Sequence, residues 1–161
     1  PEYPDSLAAV MADRKVLVLH SFSKAYGLAG LRIGIVIAQP DIISRLVHLR
    51  RTFHLGTLEM EAAIAAIGDQ DHIKNSVDLA WSGKQWLYDQ FDRLGLKTWP
   101  SEANFILFRT AMPSDEVADR LSQESILVGP GTRFGIPDCI RVSVGLPEAN
   151  EAFIKALEKV I

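Results

Sequence analysis

Residues 16–34 read VLVLHSFSKAYGLAGLRIG, and this stretch decides the fold that the sequence predicts. The continuous apolar run at 16–19 is typical of a strand that is covered on both faces, as in a parallel α/β sheet. Lys24 follows the predicted strand and lies among hydroxyls, glycines and an arginine. Because lysines usually stay in solvent, a lysine at the end of a strand predicted to be buried suits a covalent role.

The residues around Lys24 match the needs of an aldehyde cofactor that carries a phosphate. A lysine amine forms a Schiff base with pyridoxal phosphate. The hydroxyls of Ser21 and Ser23 and the guanidinium of Arg32 can hold the phosphate dianion. Arg32 is the strongest candidate because its fork matches phosphate oxygens, whereas a hydroxyl donates one bond. The alternative is structural: the serines satisfy backbone groups of a turn, and Lys24 is an ordinary solvated residue.

The spacing Ser-x-Ser-Lys-x-x-x-Leu-x-Gly-x-Arg-x-Gly at 21–34 resembles the cofactor-lysine segment of the class I/II pyridoxal-phosphate aminotransferases. The resemblance is closest to the histidinol-phosphate aminotransferase branch. It implies pyridoxal 5'-phosphate as cofactor and Lys24 as the catalytic residue. It also implies a homodimer in amino-acid biosynthesis, which transfers an amino group between an amino acid, or an amino phosphate such as histidinol phosphate, and a 2-oxo acid.

The composition indicates an ordinary globular protein and argues against several other functions. Hydrophobic residues make up 48% of the 161-residue chain, yet no apolar run approaches the length of a membrane span. A net charge of −3 makes nucleic acid an unsuitable partner. Cys139 is the only cysteine and the four histidines lack ligand spacing, so the sequence supports neither a disulfide nor a metal site. We expect a cytoplasmic protein.

Turn and cap signals predict an α/β chain in three parts. Residues 1–52 form an α/β piece, residues 53–94 form connecting helices, and residues 95–161 form a small α+β domain. The resemblance identifies the first part as the end of a fold-type-I large domain and the last as the small C-terminal domain. The pattern predicts strands at 16–19, 33–38, 96–99, 104–108, 126–128 and 139–144, and helices from the N-caps Asp41 and Thr57, at 71–94, from Ser114, and at 148–160.

Arg141 stands in the middle of the apolar strand CIRVSV at 139–144. Period-two alternation puts the aliphatic residues on one face and Arg141 on the other. A charge in such a strand needs a partner, and a substrate carboxylate would supply one through a bidentate pair. The resemblance agrees, because Ile-Arg-Val-Ser-Val-Gly looks like the substrate-carboxylate strand of the family. A salt bridge to a nearby Asp or Glu is the alternative.

Two further positions bear on the substrate. Asn104 lies in a segment that resembles the Ser-x-Ala-Asn-Phe stretch of the family, which implies a substrate contact, whereas the structural alternative is a bond to local backbone. Gly129 departs from the family, because relatives commonly read Val-Arg-Pro where this chain reads Val-Gly-Pro. Such an arginine can bind a distal anionic group, so the departure argues against histidinol phosphate; Arg133 is close enough in sequence to replace it.

Two other functions stay open. Threonine-phosphate decarboxylases share the lysine motif within the family. A truncated, non-catalytic module of the same fold is the other possibility, since the family aspartate that faces the pyridinium nitrogen lies upstream of the lysine. Because the chain begins at Pro1 and members of the family are more than twice as long, we expect part of a longer chain that is incomplete by itself. A reading frame that continues upstream of Pro1 would favour the enzyme.

Overall fold

The computed structural model describes residues 5–50 and 54–161 and contains two compact units, Pro1–Lys74 and Asn75–Ile161. The sequence predicts boundaries after residues 52 and 94 instead. The first of these boundaries falls at residues outside the described ranges. The three-part division therefore stays a prediction.

The first unit contains two short strands and several helices. Its first helix is capped by the Asp5 carboxylate, which accepts hydrogen bonds from the N–H groups of Leu7 and Ala8, both at 3.0 Å. The side chain of Gln39, which follows the second strand, donates a hydrogen bond to the backbone carbonyl of Val10 in this helix. The elements are α1 (Ser6–Met11), β1 (Val18–Ser21), a 3₁₀ turn (Ala29–Leu31), β2 (Gly34–Ile37), α2 (Pro40–Val47) and α3 (Thr57–Gly68).

β1 and β2 form an antiparallel ladder, which corrects the expectation of a parallel strand covered on both faces. Val18 pairs with Ile37 and Ser21 with Gly34, and the side chain of Leu19 is 73% exposed. The connection between these strands contains only a three-residue 3₁₀ turn, whereas a parallel crossover usually needs a helix. An apolar run indicates that a strand has surface to bury, but it does not fix the direction of its partner.

The two predicted N-caps are wrong, because both residues lie inside their helices. α2 begins at Pro40, and Asp41 lies in its first turn. Proline suits the first helical position because its φ is fixed and it lacks the N–H that would go unpaired there. α3 begins at Thr57 itself, after Gly56.

The second unit is a four-stranded antiparallel sheet with the order β3-β4-β6-β5. The long helix α4 (Gln70–Arg93) begins in the last residues of the first unit. It ends as predicted before Gly95, whose φ of 69° suits glycine. Within the described ranges, no helix combines the length and the apolar content that a membrane crossing needs. The remaining elements are β3 (Thr98–Trp99), β4 (Phe105–Arg109), α5 (Ser114–Gln123), β5 (Gly129–Pro130), a 3₁₀ turn (Gly131–Phe134), β6 (Cys139–Ser143) and α6 (Pro147–Val160).

The apolar core of the second unit is built around three phenylalanines from α4, β4 and α6. Phe91 stacks on Phe108 with the ring centroids 4.7 Å apart, and Phe153 meets each of them at 6.1 Å with a steep interplanar angle. Ile140 and Val142 of β6 also lie in this core, which confirms the predicted aliphatic face of that strand. The opposite face of β6 is left for Arg141.

Gly131→Ala should destabilise the second unit by about 1–3 kcal/mol. An added Cβ would overlap the carbonyl oxygens of Ile136 and Cys139, which are backbone atoms and cannot swing aside. Gly129→Ala is the matched control, since its Cβ would lie 3.5 Å from the Arg141 carbonyl oxygen, an ordinary contact. Urea denaturation should show a change within about 0.5 kcal/mol for the control. Equal midpoints for the two variants would contradict the assigned packing at Gly131.

Candidate functional site

Lys24 occupies a tight turn directly after β1. The N–H of Gly27 donates to the Lys24 carbonyl at 2.8 Å, and Gly27 adopts the left-handed conformation, with φ of 71°. The Lys24 side chain is exposed, and among the described residues its amine has neither a hydrogen bond nor an ion pair. The backbone of Lys24 is thus held while its amine is available to a carbonyl compound.

The two serines flank this turn in different ways. The Ser21 hydroxyl oxygen accepts a hydrogen bond from the backbone N–H of Ser23 at 3.2 Å, which is the structural role considered for it above. A hydroxyl that accepts one bond keeps its own O–H to donate. Ser21 is exposed and Ser23 is half-buried, so the turn contact leaves both hydroxyls able to donate to an anion.

Arg32 is held in a backbone conformation that is unusual for its type. Its φ and ψ are 57° and 41°, the left-handed region, which costs a non-glycine residue roughly 1 kcal/mol. One guanidinium nitrogen, Nη1, donates to the carbonyl of Ala29 at 2.8 Å. A guanidinium has five N–H donors, so most of the fork stays available.

The strand register brings these groups to the same end of one ladder. Ser21 pairs with Gly34, and the N–H of Phe22 donates to the Ile33 carbonyl at 3.2 Å just beyond that pair. Ser23 and Arg32 follow directly on the two arms. This donor set fits a phosphate-bearing aldehyde, because hydroxyls and a guanidinium donate to phosphate oxygens and an unpaired amine reacts with the carbonyl carbon.

Arg141 lies on the face of β6 opposite the core, as the alternation predicted. Its guanidinium carbon is 4.1 Å from the ring centroid of Phe105, a cation–π contact that leaves the N–H edges open. In the described part of the chain Arg141 forms no ion pair, so the alternative of a structural salt bridge finds no partner there. The guanidinium of Arg141 is therefore positioned without being neutralised.

Asn104 lies at the start of β4, next to Phe105. Its backbone carbonyl accepts a hydrogen bond from the Val144 N–H at 2.9 Å, which extends the β4–β6 ladder by one residue. The side chain is exposed and makes no hydrogen bond within the described ranges. The local backbone bond is thus made by the main chain of Asn104 and not by its amide group.

Sequence reasoning missed Asn150, which fixes the loop that follows β6. This residue is only 4% exposed; its Oδ1 accepts from the Gly145 N–H at 2.9 Å and its Nδ2 donates to the Gly145 carbonyl at 3.1 Å. A signal was present, because Asn150 falls in the helical series with Phe153, Ile154 and Leu157, which all face the core. A buried asparagine at such a position needs both of its polar groups satisfied.

Neither Cys139 nor a cluster of metal-ligating side chains offers a second reactive site among the described residues. Burial raises the pKa of the Cys139 thiol above its usual value, and the hydrogen bond to the adjacent Asp138 carboxylate raises it further. This thiol is a poor nucleophile, since only the thiolate reacts readily. Among the described residues no cluster of histidine, cysteine, aspartate or glutamate has the arrangement of a metal site.

The family model of the aminotransferases of class I and II matches residues 2–157, nearly the whole chain. The chain belongs to the class I and II aminotransferase family. This family depends on pyridoxal phosphate.

Individual relatives of this aminotransferase-family chain agree with that assignment. A histidinol-phosphate aminotransferase from Moorella thermoacetica is 44% identical over 160 residues, which cover 99% of this chain and 42% of that relative. A crystal structure of histidinol-phosphate aminotransferase from Sinorhizobium meliloti in complex with pyridoxal-5'-phosphate matches with a TM-score of 0.81 and 30% identity, over 90% of this chain and 41% of that one. L-threonine-O-3-phosphate decarboxylase from Porphyromonas gingivalis also has a TM-score of 0.81, with 26% identity over 94% of this chain and 48% of its own. The chain thus spans less than half the length of these proteins.

Arg32→Gly in the protein expressed from its complete gene should weaken binding of pyridoxal phosphate by about 10–100-fold, the loss expected for a hydrogen bond to a charged group. Glycine adopts the left-handed conformation without strain, so the stability should stay within about 1 kcal/mol of the wild type. Pyridoxal, which lacks the phosphate, is the control ligand, and its affinity should not change. An unaltered affinity for pyridoxal phosphate would remove Arg32 from the site of this aminotransferase-family chain.

Proposed function

We propose that this chain carries the lysine segment and the substrate-anion strand of a pyridoxal-phosphate-dependent aminotransferase. The proposed reaction transfers an amino group between an amino acid, or an amino phosphate such as histidinol phosphate, and a 2-oxo acid. The observation that carries the proposal is the unpaired Lys24 amine on a fixed turn, close in sequence to three side chains that could donate to a phosphate. Membership of the aminotransferase family supports it.

The lysine segment contributes one reacting residue, Lys24, and three phosphate-binding residues to the proposed reaction. When bound, pyridoxal phosphate would supply an aldehyde and a ring that accepts electron density from the substrate's Cα. The Nζ atom of Lys24 would be the attachment point for that aldehyde, and once the substrate's amino group has taken its place, the freed neutral amine would move the proton of Cα. Ser21, Ser23 and Arg32 would hold the phosphate, so that the reacting carbon keeps a constant orientation toward Nζ.

Arg141 and Asn104 are proposed to orient the substrate. The Phe105 ring keeps the Arg141 guanidinium in place, 4.1 Å away, without satisfying its hydrogen-bond donors. A carboxylate could therefore take both N–H groups of one edge, which is the geometry that arginine favours. The unpaired amide of Asn104, one residue before Phe105, could donate to the same substrate.

The glycine at position 129 supports a substrate whose amino-group donor carries a carboxylate, in preference to one that carries a phosphate dianion. Gly129 pairs with Arg141, and a Cβ built on it would lie 3.7 Å from the Cβ of Arg141, on the same side of the sheet. Neither its backbone conformation nor its neighbours require glycine. Position 129 therefore provides no second cation beside Arg141, and a single guanidinium matches the charge of one carboxylate.

A second candidate is a decarboxylase that acts on an amino-acid phosphate. The structural likeness to the L-threonine-O-3-phosphate decarboxylase, at 26% identity, favours it within the same family. The two reactions differ in their products, since a decarboxylase releases carbon dioxide and needs no 2-oxo acid. Carbon dioxide release from L-threonine-O-3-phosphate, compared with 2-oxo acid-dependent transfer, distinguishes them.

The assembly and the domain roles are proposed with this function. Residues 1–52 would complete a large cofactor-binding domain, and residues 95–161 would form the small domain. Leu58, Met60, Ile64 and Ile67 of α3 are exposed apolar side chains, which supports an interface with further protein, including the proposed homodimer. A role in amino-acid biosynthesis in the cytoplasm stays a prediction.

Borohydride reduction in the presence of pyridoxal phosphate should fix the cofactor on Lys24, as peptide mass mapping would show. Lys24→Ala should lose this label. Lys24→Arg should lose both the label and the activity, because a guanidinium stays protonated and cannot attack the aldehyde. Lys15 and Lys84 serve as internal controls on the same chain. A label on another lysine that persists in Lys24→Ala would overturn the proposed function.

Arg141→Lys should weaken binding of the amino-acid substrate by about 2–5 kcal/mol if the carboxylate is desolvated, while cofactor attachment is unchanged. Arg109→Lys is the matched control, because Arg109 lies on the neighbouring strand and is already paired with Asp138 at 2.8 Å. The control should retain substrate affinity. If KM and kcat of Arg141→Lys equal those of the wild type, Arg141 has only a structural role.

A further inference from the structure

Aromatic side chains hold the Lys24 turn on both sides. Phe22 lies two residues before Lys24 and Tyr26 two residues after it. Their ring centroids are 4.5 Å apart, with an interplanar angle of 35°. The chain therefore leaves β1, presents the lysine and returns to the same aromatic contact within five residues.

Phe22 is the fixed side of this contact. Its side chain is fully buried, at 0% exposure. Its N–H donates to the carbonyl of Ile33 at 3.2 Å, and its own carbonyl accepts from the N–H of Leu28 at 3.0 Å. Both backbone polar groups of Phe22 are thus hydrogen-bonded within the first unit, and its ring is buried.

Tyr26 is held by a second contact in addition to the ring of Phe22. Its hydroxyl lies 3.2 Å from Nε2 of His20, and the two rings meet edge to face with centroids 5.5 Å apart. His20 also meets Phe22 edge to face at 6.1 Å. The His20–Tyr26 bond joins residues six apart and closes the segment around Lys24.

We propose that Tyr26 and His20 are positioning residues that fix the direction from which the Lys24 amine reaches the cofactor's aldehyde. This proposal rests on the proposed function. Among the described residues the Lys24 amine has no partner, so its position depends on the turn that carries it. Holding a reacting amine in place raises its effective concentration at the carbonyl, and a small displacement lowers it steeply.

The test compares two ligands of the protein expressed from its complete gene. Pyridoxal phosphate binds through its phosphate, its ring and the lysine, whereas pyridoxamine phosphate has no aldehyde and cannot bond to the lysine. Tyr26→Phe keeps the ring contact and removes the hydroxyl. We expect it to raise the Kd of pyridoxal phosphate by about 3–10-fold, the effect of one neutral hydrogen bond, and to leave the Kd of pyridoxamine phosphate unchanged.

Four further variants separate positioning from general stability. His20→Ala should raise the Kd of pyridoxal phosphate at least as much as Tyr26→Phe, because it removes the ring contacts of His20 as well as the bond. The double variant should be no worse than His20→Ala, because the shared bond is lost only once. His20→Gln should restore part of the affinity, since glutamine can still bond to the tyrosine hydroxyl. Tyr88→Phe is the matched control: it removes a tyrosine bond to the Trp99 carbonyl, 3.1 Å long, in the second unit, and should change neither Kd.

The outcomes distinguish failure of the positioning role from failure of the proposed function. Additive effects, an equal change for both ligands, or no change in Tyr26→Phe would each overturn the positioning role and leave the proposed function standing. A wild-type protein that binds the two ligands equally and takes no borohydride label on Lys24 would overturn the proposed function itself.

Discussion

Complete burial of Phe22 is the constraint on which the lysine segment depends. Its two backbone hydrogen bonds connect the end of β1 to Ile33 on one side and to Leu28 on the other. Those bonds close the loop that carries Lys24 at the end of the ladder. Because the same ladder end carries Ser21 and leads to Arg32, a buried phenylalanine sets the spacing between a reactive amine and the groups proposed to hold a phosphate.

The second unit holds two arginine side chains on the neighbouring strands β4 and β6 in opposite ways. Arg109 is neutralised and Arg141 is not. Arg109 is paired with the Asp138 carboxylate at 2.8 Å, so its charge is already compensated. Arg141 rests against the face of Phe105, a contact worth roughly 0.5–1 kcal/mol at an exposed site, and keeps its donors for another partner. An aromatic ring therefore orients a guanidinium whose donors an ion pair would occupy.

Where sequence reasoning succeeded, the signal was local. α4 was expected at 71–94 and runs over Gln70–Arg93, because its apolar spacing and Gly95 both mark a helix of that length. The faces of β6 followed from alternation alone. Where the reasoning failed, the missing information was which strand pairs with which. The run at 16–19 was expected in a parallel sheet, but the short connection that follows it leads to an antiparallel pairing with β2. β5 lies at Gly129–Pro130 and not at 126–128 because its pairing with Arg141 and Ile140 sets its place.

The sequence by itself determined the family motif around Lys24, the types of donor beside it and the strand that bears Arg141, because these depend on residue identity and on spacing along the chain. Tertiary structure alone decided that Tyr26 reaches His20, that Phe105 supports Arg141 and that Asn150 fastens Gly145. Such contacts join residues whose distance is set by turns and by strand register. Spacing along the chain does not encode that distance, since a one-residue change of strand register would place His20, Phe105 or Arg141 on the other face of its strand.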